Sequence, residues 1–364
     1  MTKEAIIKAL GTVDDPDLKK DLVTLGMIED VEVSGNKVSF SVVLTTPACP
    51  LKEKIKNDCI DAIKSQVNAD AEFEINMTSK VTTTRENTAP LLPNVKNIIA
   101  IASGKGGVGK STVTANLAVS LAKSGAKVGV LDADIFGPSM PTMFNCENEH
   151  PPIKQENGKN VIIPIEQYGV KVISIGLLTP ADKAVIWRGP MASSVLKQFF
   201  SDVEWGELDY LLIDLPPGTS DIHLTLVQTI PVTGALVVTT PQKVAIMDAQ
   251  KGLAMFNQSN INVPILGVVE NMAYFTPKEL PDNKYYIFGQ GGGKKLAEKA
   301  GVNYLGEIPL VQEIRESGDS GYPAVLKGDD ITTQAFENLA ASLAQQVAIR
   351  NSTLEKTTKV EMQS

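Results

Sequence analysis

The sequence predicts an α/β protein in two parts. A small α/β (α+β) domain comes first, and a larger domain built on a mostly parallel, doubly wound sheet follows. Three observations predict this. Period-two apolar runs with helical stretches fill the first 78 residues, and a stretch without periodicity follows them. From residue 97 onward, apolar runs of strand length alternate with helical ones. Several of those runs, such as Tyr210-Leu211-Leu212-Ile213, are apolar throughout, as strands buried on both faces are. The chain has 364 residues, enough for two separate cores.

In order, residues 2–10 suit a short helix that ends at Gly11. Val31 and Val33, then Val38, Phe40, Val42 and Leu44, alternate as two strands across the turn Ser34-Gly35-Asn36-Lys37. Pro47 breaks the second strand, and Pro50 is placed to open a helix with Leu51, Ile55, Cys59 and Ile60 on one face. Phe73, Ile75 and Met77 form a last strand, which closes a domain at 1–78. Residues 79–96, with their threonines and prolines, read as a linker. The larger domain spans 97–349, with strands expected at 97–102, 127–132, 172–176, 210–214, 234–239, 265–269 and 303–306. Phe336, Leu339, Leu343 and Val347 make its final amphipathic helix, and the polar residues 350–364 are expected to be a disordered tail.

Composition narrows the partners. A net charge of −8 argues against general affinity for nucleic acid or an anionic membrane. No apolar run approaches the length of a membrane span. The first residues lack the apolar core of a secretory signal and the arginines of a mitochondrial presequence. Three cysteines, Cys49, Cys59 and Cys146, are no disulfide framework. A cytoplasmic protein with no nucleic-acid or membrane partner is expected.

The chemistry begins at the end of the first strand of the larger domain. Gly104-Lys105-Gly106-Gly107-Val108-Gly109-Lys110-Ser111-Thr112 leads into a helical run with Val113, Leu117 and Leu121 in phase and Gly125 as its expected cap. Strand, G-x-x-x-x-G-K-S and helix form a phosphate-binding loop. Glycines let backbone N–H groups converge on phosphate oxygens, and the helix dipole adds positive potential. In this arrangement Lys110 reaches the β- and γ-phosphates and the Ser111 hydroxyl ligates Mg²⁺, which implies ATP and Mg²⁺. Lys105 has two readings. It is a solvated surface lysine, or in a face-to-face dimer it crosses to the partner's nucleotide as an arginine finger does.

The loop resembles the deviant Walker A signature of the MinD/ParA/nitrogenase iron-protein superfamily. The stretch Asp132-Ala133-Asp134-Ile135-Phe136-Gly137-Pro138-Ser139 resembles switch I of the Mrp/ApbC branch. Asp209 to Asp221, including Asp214-Leu215-Pro216-Pro217-Gly218, resembles its Walker B and switch II. Glu270-Asn271-Met272-Ala273-Tyr274-Phe275 and Ile287-Phe288-Gly289-Gln290-Gly291-Gly292-Gly293 are similar to further stretches of that branch. Thr45-Thr46-Pro47-Ala48-Cys49-Pro50-Leu51 resembles the iron–sulfur assembly domain fused ahead of it. The resemblance implies a P-loop NTPase sheet and an ATPase that acts as a homodimer. Its task would be to carry iron–sulfur clusters to apo-proteins alongside other assembly factors. It implies that Asp134 orients the attacking water and that Asn271 recognises adenine. Asp214 follows a buried strand, where a Walker B carboxylate holds Mg²⁺ through water, and the N–H of Gly218 is placed to meet the γ-phosphate. Strand-end capping for Asp134 and Asp214, and a turn role for Asn271, are the plainer alternatives.

One departure stands out. Well-known Mrp members carry C-P-x-C after the Tyr-Phe, where this chain has Thr276-Pro277-Lys278-Glu279. Hydroxyl and carboxylate are poor substitutes for thiolate on an iron–sulfur cluster. Cys49 remains, expected at a helix start near Lys52 and Lys54, with its thiolate favoured by the dipole. The resemblance makes it a reactive thiol that holds a transient cluster with a partner; the plainer reading is a small apolar residue packed at a helix start. Two other functions compete with the carrier. One is a MinD/ParA-like positioning ATPase, and the other is an ATP-regulated scaffold that holds no cluster itself.

Overall fold

The computed structural model describes residues 1–85, 91–156, 158–178, 189–259, 261–277, 279–280, 282–328 and 330–360. The chain divides into two compact units, Met1–Thr83 with Ala344–Leu354, and Thr84–Leu343 with Glu355–Ser364.

In the first unit, α1 (Lys3–Leu10) is capped by the Thr2 hydroxyl, which accepts from the Ala5 amide. The short pair β1 (Asp14–Asp15) and β2 (Lys20–Asp21) leads to β3 (Ile28–Ser34) and β4 (Lys37–Leu44). Helix α2 (Lys52–Gln66) then crosses to β5 (Glu72–Ser79). The three longer strands pair in the order β3-β4-β5, antiparallel and then parallel. The parallel step requires a crossover, and α2 supplies it. Alternation buries Val38, Phe40, Val42 and Leu44 against Ile6, Leu10, Ile55, Cys59 and Ile63. The helix predicted to open at Pro50 begins two residues later, with Leu51 as its N-cap.

The second unit opens on β6 (Val95–Ser103), α3 (Lys110–Lys123) and β7 (Val128–Asp132). The short helix α4 (Met140–Met143), the hairpin of β8 (Ile153–Glu156) and β9 (Lys159–Ile162), β10 (Ile165–Gln167) and β11 (Val170–Ser174) follow. Next come α5 (Gly189–Ser201), β12 (Leu208–Asp214), α6 (Asp221–Thr229), β13 (Gly234–Thr239) and α7 (Lys243–Phe256). The unit continues through β14 (Ile265–Glu270), α8 (Gly292–Ala300), β15 (Tyr304–Glu307) and α9 (Gln312–Ser320) into α10 (Ile331–Thr353), whose residues from Ala344 onward count with the first unit. One eight-stranded sheet runs β10-β11-β7-β12-β6-β13-β14-β15, parallel except at the β10–β11 edge. Alternate residues Ile98, Ala100 and Ala102 of β6 share a core with Leu196 and Phe199 of α5 and Leu226 of α6. Helix α3 packs on β6, β7 and β12. The strand order reverses at β6, the first strand of the fold, so the loop after it lies at a topological switch point.

Several expectations are revised. The sequence carries no clear strand signal at 153–167, because β8 is exposed throughout and β10 is only three residues long. Strand β5 runs to Ser79 and β6 begins at Val95, so both ends of the expected linker are strand. Helix α3 stops with Ser124 as cap, one residue before Gly125. The tail expected to be disordered from 350 is helical to Thr353. Beyond it, Thr357 donates to the Thr84 carbonyl and Val360 to the Val227 carbonyl, and Val360 packs against the α5–α6 core. Backbone pairing at Thr357 and one packed valine hold 357–360, features that polar composition does not announce; residues 361–364 of the expected tail lie outside the described residues. Among the described residues no helix is long and apolar enough to cross a membrane.

Candidate nucleotide site

Strand register brings the chemistry to one edge. Asp214 of β12 lies beside Asp132 of β7, and Asp132 lies beside Ser174 of β11. Val238 of β13 pairs with Ser103, the residue that ends β6. All are at the carboxyl ends of parallel strands, where the turn after β6 carries the glycine-rich loop.

The loop's shape follows from its glycines. Gly107 and Gly109 sit at φ of 81° and 77°, in the left-handed region. Gly104 is pressed against helix α7, where an added Cβ would fall 2.1 Å from the Asp248–Ala249 backbone. Around Gly106 and Gly107 the space is open: a Cβ on Gly107 meets nothing within 4 Å. No side chain caps the N-terminus of α3, and no acidic residue lies in its first turn. An uncapped helix N-terminus behind an open glycine cradle fits an anionic phosphate chain.

Lys110 is buried, and its ammonium donates to Asp214 Oδ2 at 2.6 Å. The Ser111 hydroxyl donates to the same oxygen at 2.6 Å, and Thr114 donates to Oδ1 at 2.6 Å. Asp134 is half-buried, 4.0 Å from the same ammonium. Burial lifts its carboxyl above the usual range, the Lys110 charge opposes that, and Asp214 adds to it. The Ser111 and Asp214 oxygens form a hard-donor pair of the kind Mg²⁺ takes. Lys105 is exposed at the mouth of the loop, as both of its readings require.

Asp132 is a site residue that the motif left without a role of its own. It is fully buried and accepts from the amides of Asp134, Ser139 and Met140 and from the Ser174 hydroxyl. Burial, aided by the neighbouring Asp214, pushes its pKa up to about 7. Asp132 therefore shapes the 133–140 segment from beneath, while Asp134 faces the ammonium. Spacing alone does not separate the two, since residues two apart on a strand share a face; β7 ends at Asp132 and the chain leaves the strand before Asp134.

Asn271 is also buried, and its amide donates to the Val108 carbonyl at 2.8 Å, bracing the loop. The Gly218 N–H, expected to meet a phosphate, instead donates to the Ser103 carbonyl at 2.8 Å. His223, the third residue of α6, is buried with Nδ1 accepting from the Ser220 amide at 3.2 Å. His150 is exposed and far from any metal-ligand spacing, and no described cluster of three metal-binding side chains exists.

Cys49 departs from expectation. Its thiol is raised above the ordinary value by burial and by the charges of Asp17 and Asp15, against a lowering bond from the Leu51 amide. The thiolate is thus disfavoured rather than favoured: burial comes first, the near charges are acidic, and the helix starts further on. Cys59 and Cys146 are fully buried, each pushed up to about 12. Thr276 is buried with its hydroxyl donating to the Asn283 carbonyl. Lys278 lies outside the described residues.

A family profile described as the NUBPL iron-transfer P-loop NTPase matches residues 94–344, most of the chain. The chain belongs to this family. A second profile, described as an iron-sulfur cluster assembly protein, matches residues 3–76 of the same NTPase. The iron-sulfur cluster carrier protein of Synechocystis is 46% identical over 96% of this chain and 99% of its own length. The chloroplastic Fe-S cluster assembly factor HCF101 of Arabidopsis thaliana is 41% identical over 95% of this chain, which spans 64% of that protein. A nucleotide-binding protein of Archaeoglobus fulgidus, solved in complex with ADP, superposes with a TM-score of 0.57 at 40% identity. That likeness covers 65% of this chain and 91% of the other. The expected resemblance and the expected α/β fold with its mostly parallel sheet are both borne out.

Proposed function

We propose that this NTPase hydrolyses ATP as a homodimer and carries iron–sulfur clusters to apo-proteins, in concert with other assembly factors. The observation that carries the reading is the Lys110–Asp214–Ser111 constellation at the open N-terminus of α3, on a chain that also holds the assembly-type domain. The loop amides and Lys110 hold the β- and γ-phosphates. Mg²⁺, held by Ser111 and through water by Asp214, would neutralise charge on those phosphates. Asp134, kept above the usual carboxylate range by burial, orients the attacking water. Water adds to the γ-phosphorus, the bond to the β–γ bridging oxygen breaks, and ADP and phosphate leave. Lys105 reaches the partner's nucleotide and stabilises charge on the bridging oxygen. Lys105→Ala is expected to leave ATP binding intact and to lower turnover at least about tenfold. Unchanged turnover in the dimer would remove the trans-acting role.

The cargo site rests on Cys49, the one cysteine of three that is not fully buried. A raised thiol suits a transient ligand that ionises on meeting iron. Anaerobic reconstitution with iron and sulfide, on wild type and Cys49→Ser, tests it. Wild type is expected to gain the visible absorption of a cluster and pass it to an apo-ferredoxin, and the variant to do neither. A wild type that takes up no iron favours the scaffold reading, which hydroxyl and carboxylate in place of thiols at Thr276 and Glu279 support.

A further inference from the structure

The segment Leu215–Ser220 joins β12 to α6 and has two fastenings. At the phosphate end, the Gly218 amide donates to Ser103. At the helix end, the Ser220 amide donates to Nδ1 of His223, and the Ser220 hydroxyl lies 3.2 Å from the same nitrogen. An imidazole that accepts at Nδ1 carries its hydrogen on Nε2. Burial, with the Lys110 charge acting in the same direction, keeps it neutral down to about pH 4. Yet Nε2 is buried and has no hydrogen-bond partner among the described residues. The ring packs near Phe256, with centroids 6.5 Å apart.

A buried N–H without an acceptor is rare and unfavourable. Capping α6 needs only Nδ1, and a glutamate or glutamine at this position would do as well. The Nε2–H is therefore surplus to the cap. The Gly218 amide cannot stay on Ser103 and also bind a phosphate, so the segment has a second arrangement whenever a γ-phosphate is gripped there.

We propose that His223 is a positioning residue for hydrolysis, a two-ended clasp. Its Nδ1 holds Ser220 throughout, and its Nε2–H takes a carbonyl of Pro216–Thr219 once Gly218 leaves Ser103 for the γ-phosphate. This rests on the ATPase reading above. The clasp ties phosphate recognition to the register of α6, and it favours the hydrolytic arrangement by satisfying a donor that is orphaned otherwise.

Asparagine and glutamine separate the two ends. His223→Asn keeps a near acceptor for Ser220 and loses the far donor, whereas His223→Gln places an amide N–H at the far end. Steady-state ATP turnover, ADP affinity and hydrogen exchange of residues 215–222 are measured on the full chain, with ADP and with a non-hydrolysable ATP analogue. His223→Gln is expected to keep kcat within about threefold. His223→Asn is expected to lose about tenfold or more in kcat, with KM and ADP affinity within about twofold, and to lose the protection induced by the analogue. A His223→Asn variant with wild-type kcat and intact protection would overturn the proposal, leaving the cap as the residue's whole role. Parallel losses of ADP affinity, thermal stability and kcat in both variants would overturn it too. If the wild type turns over no ATP, the ATPase reading fails by itself. The exchange comparison with the analogue still decides the clasp.

Discussion

Lys110 and Asp214 form a buried ion pair in which each charge depends on the other. Removing one partner of such a pair leaves the other buried and uncompensated, at a cost of roughly 3–5 kcal/mol. Lys110→Ala is thus expected to abolish nucleotide binding and also to lower the melting temperature of the protein without nucleotide. Calorimetry on that variant checks both, and unchanged stability would mean that Asp214 is satisfied by Ser111 and Thr114 alone. His223 and Asp132 set opposite pH dependences. Folded His223 stays neutral down to about 4, whereas the ordinary value is 6.5. Between these values the unfolded chain binds the extra proton, so stability falls as pH drops, by up to on the order of 3 kcal/mol. Asp132 is raised from 3.8 to about 7, so the folded chain holds the proton there and stability falls as pH rises across that window. His223→Gln removes the first effect alone. Its stability deficit relative to wild type, from urea denaturation, is expected to be smaller at pH 4.5 than at pH 7.5.

At the scale of elements, the phosphate loop is held by backbone contact more than by side chains. Gly104 lies against α7 and Gly109 against the Asn271 amide, where an added Cβ would fall 2.2 Å from Nδ2. Gly104→Ala requires the loop to move off the α7 backbone, whereas Gly109→Ala must displace the Asn271 side chain and also strains a positive φ. Each is expected to weaken ADP binding at least about tenfold and to cost a few kcal/mol of stability. Gly107→Ala has open space but a positive φ, so it is expected to cost only about 1 kcal/mol. The ordering of these three variants by titration of ADP affinity tests whether crowding or backbone conformation sets the loop's tolerance. Residues 355–360 bear on the element next door. Thr357 pairs with Thr84, while Val360 reaches the Val227 carbonyl on α6. Truncation after Leu354 is expected to speed hydrogen exchange in the last turn of α6 and to leave the phosphate loop unaffected.

At the scale of the molecule, the sequence by itself determined the layered α/β plan, the family, and the residues of the phosphate loop. These are local or periodic signals: apolar runs of strand length, and a motif whose spacing is fixed by the geometry of one turn. It also carried the departure at Thr276 and Glu279, since the absence of thiols is a matter of residue type. Only the tertiary structure decided which charges meet. Lys110 and Asp214 are separated by 104 positions and brought together by parallel pairing of β12 with β6. Asp132 and Asp134 look alike in sequence, yet one is sealed beneath its loop and the other faces the ammonium. The neighbours of Cys49 along the chain predict a favoured thiolate. In the fold it is partly buried and flanked by Asp15 and Asp17, burial raises the thiol against a lowering bond from the Leu51 amide, and the helix begins only at Lys52. The glycine-rich loop was legible because its chemistry is written in consecutive residues. Its charge balance was not, because burial and long-range pairing set the free energy of an ion.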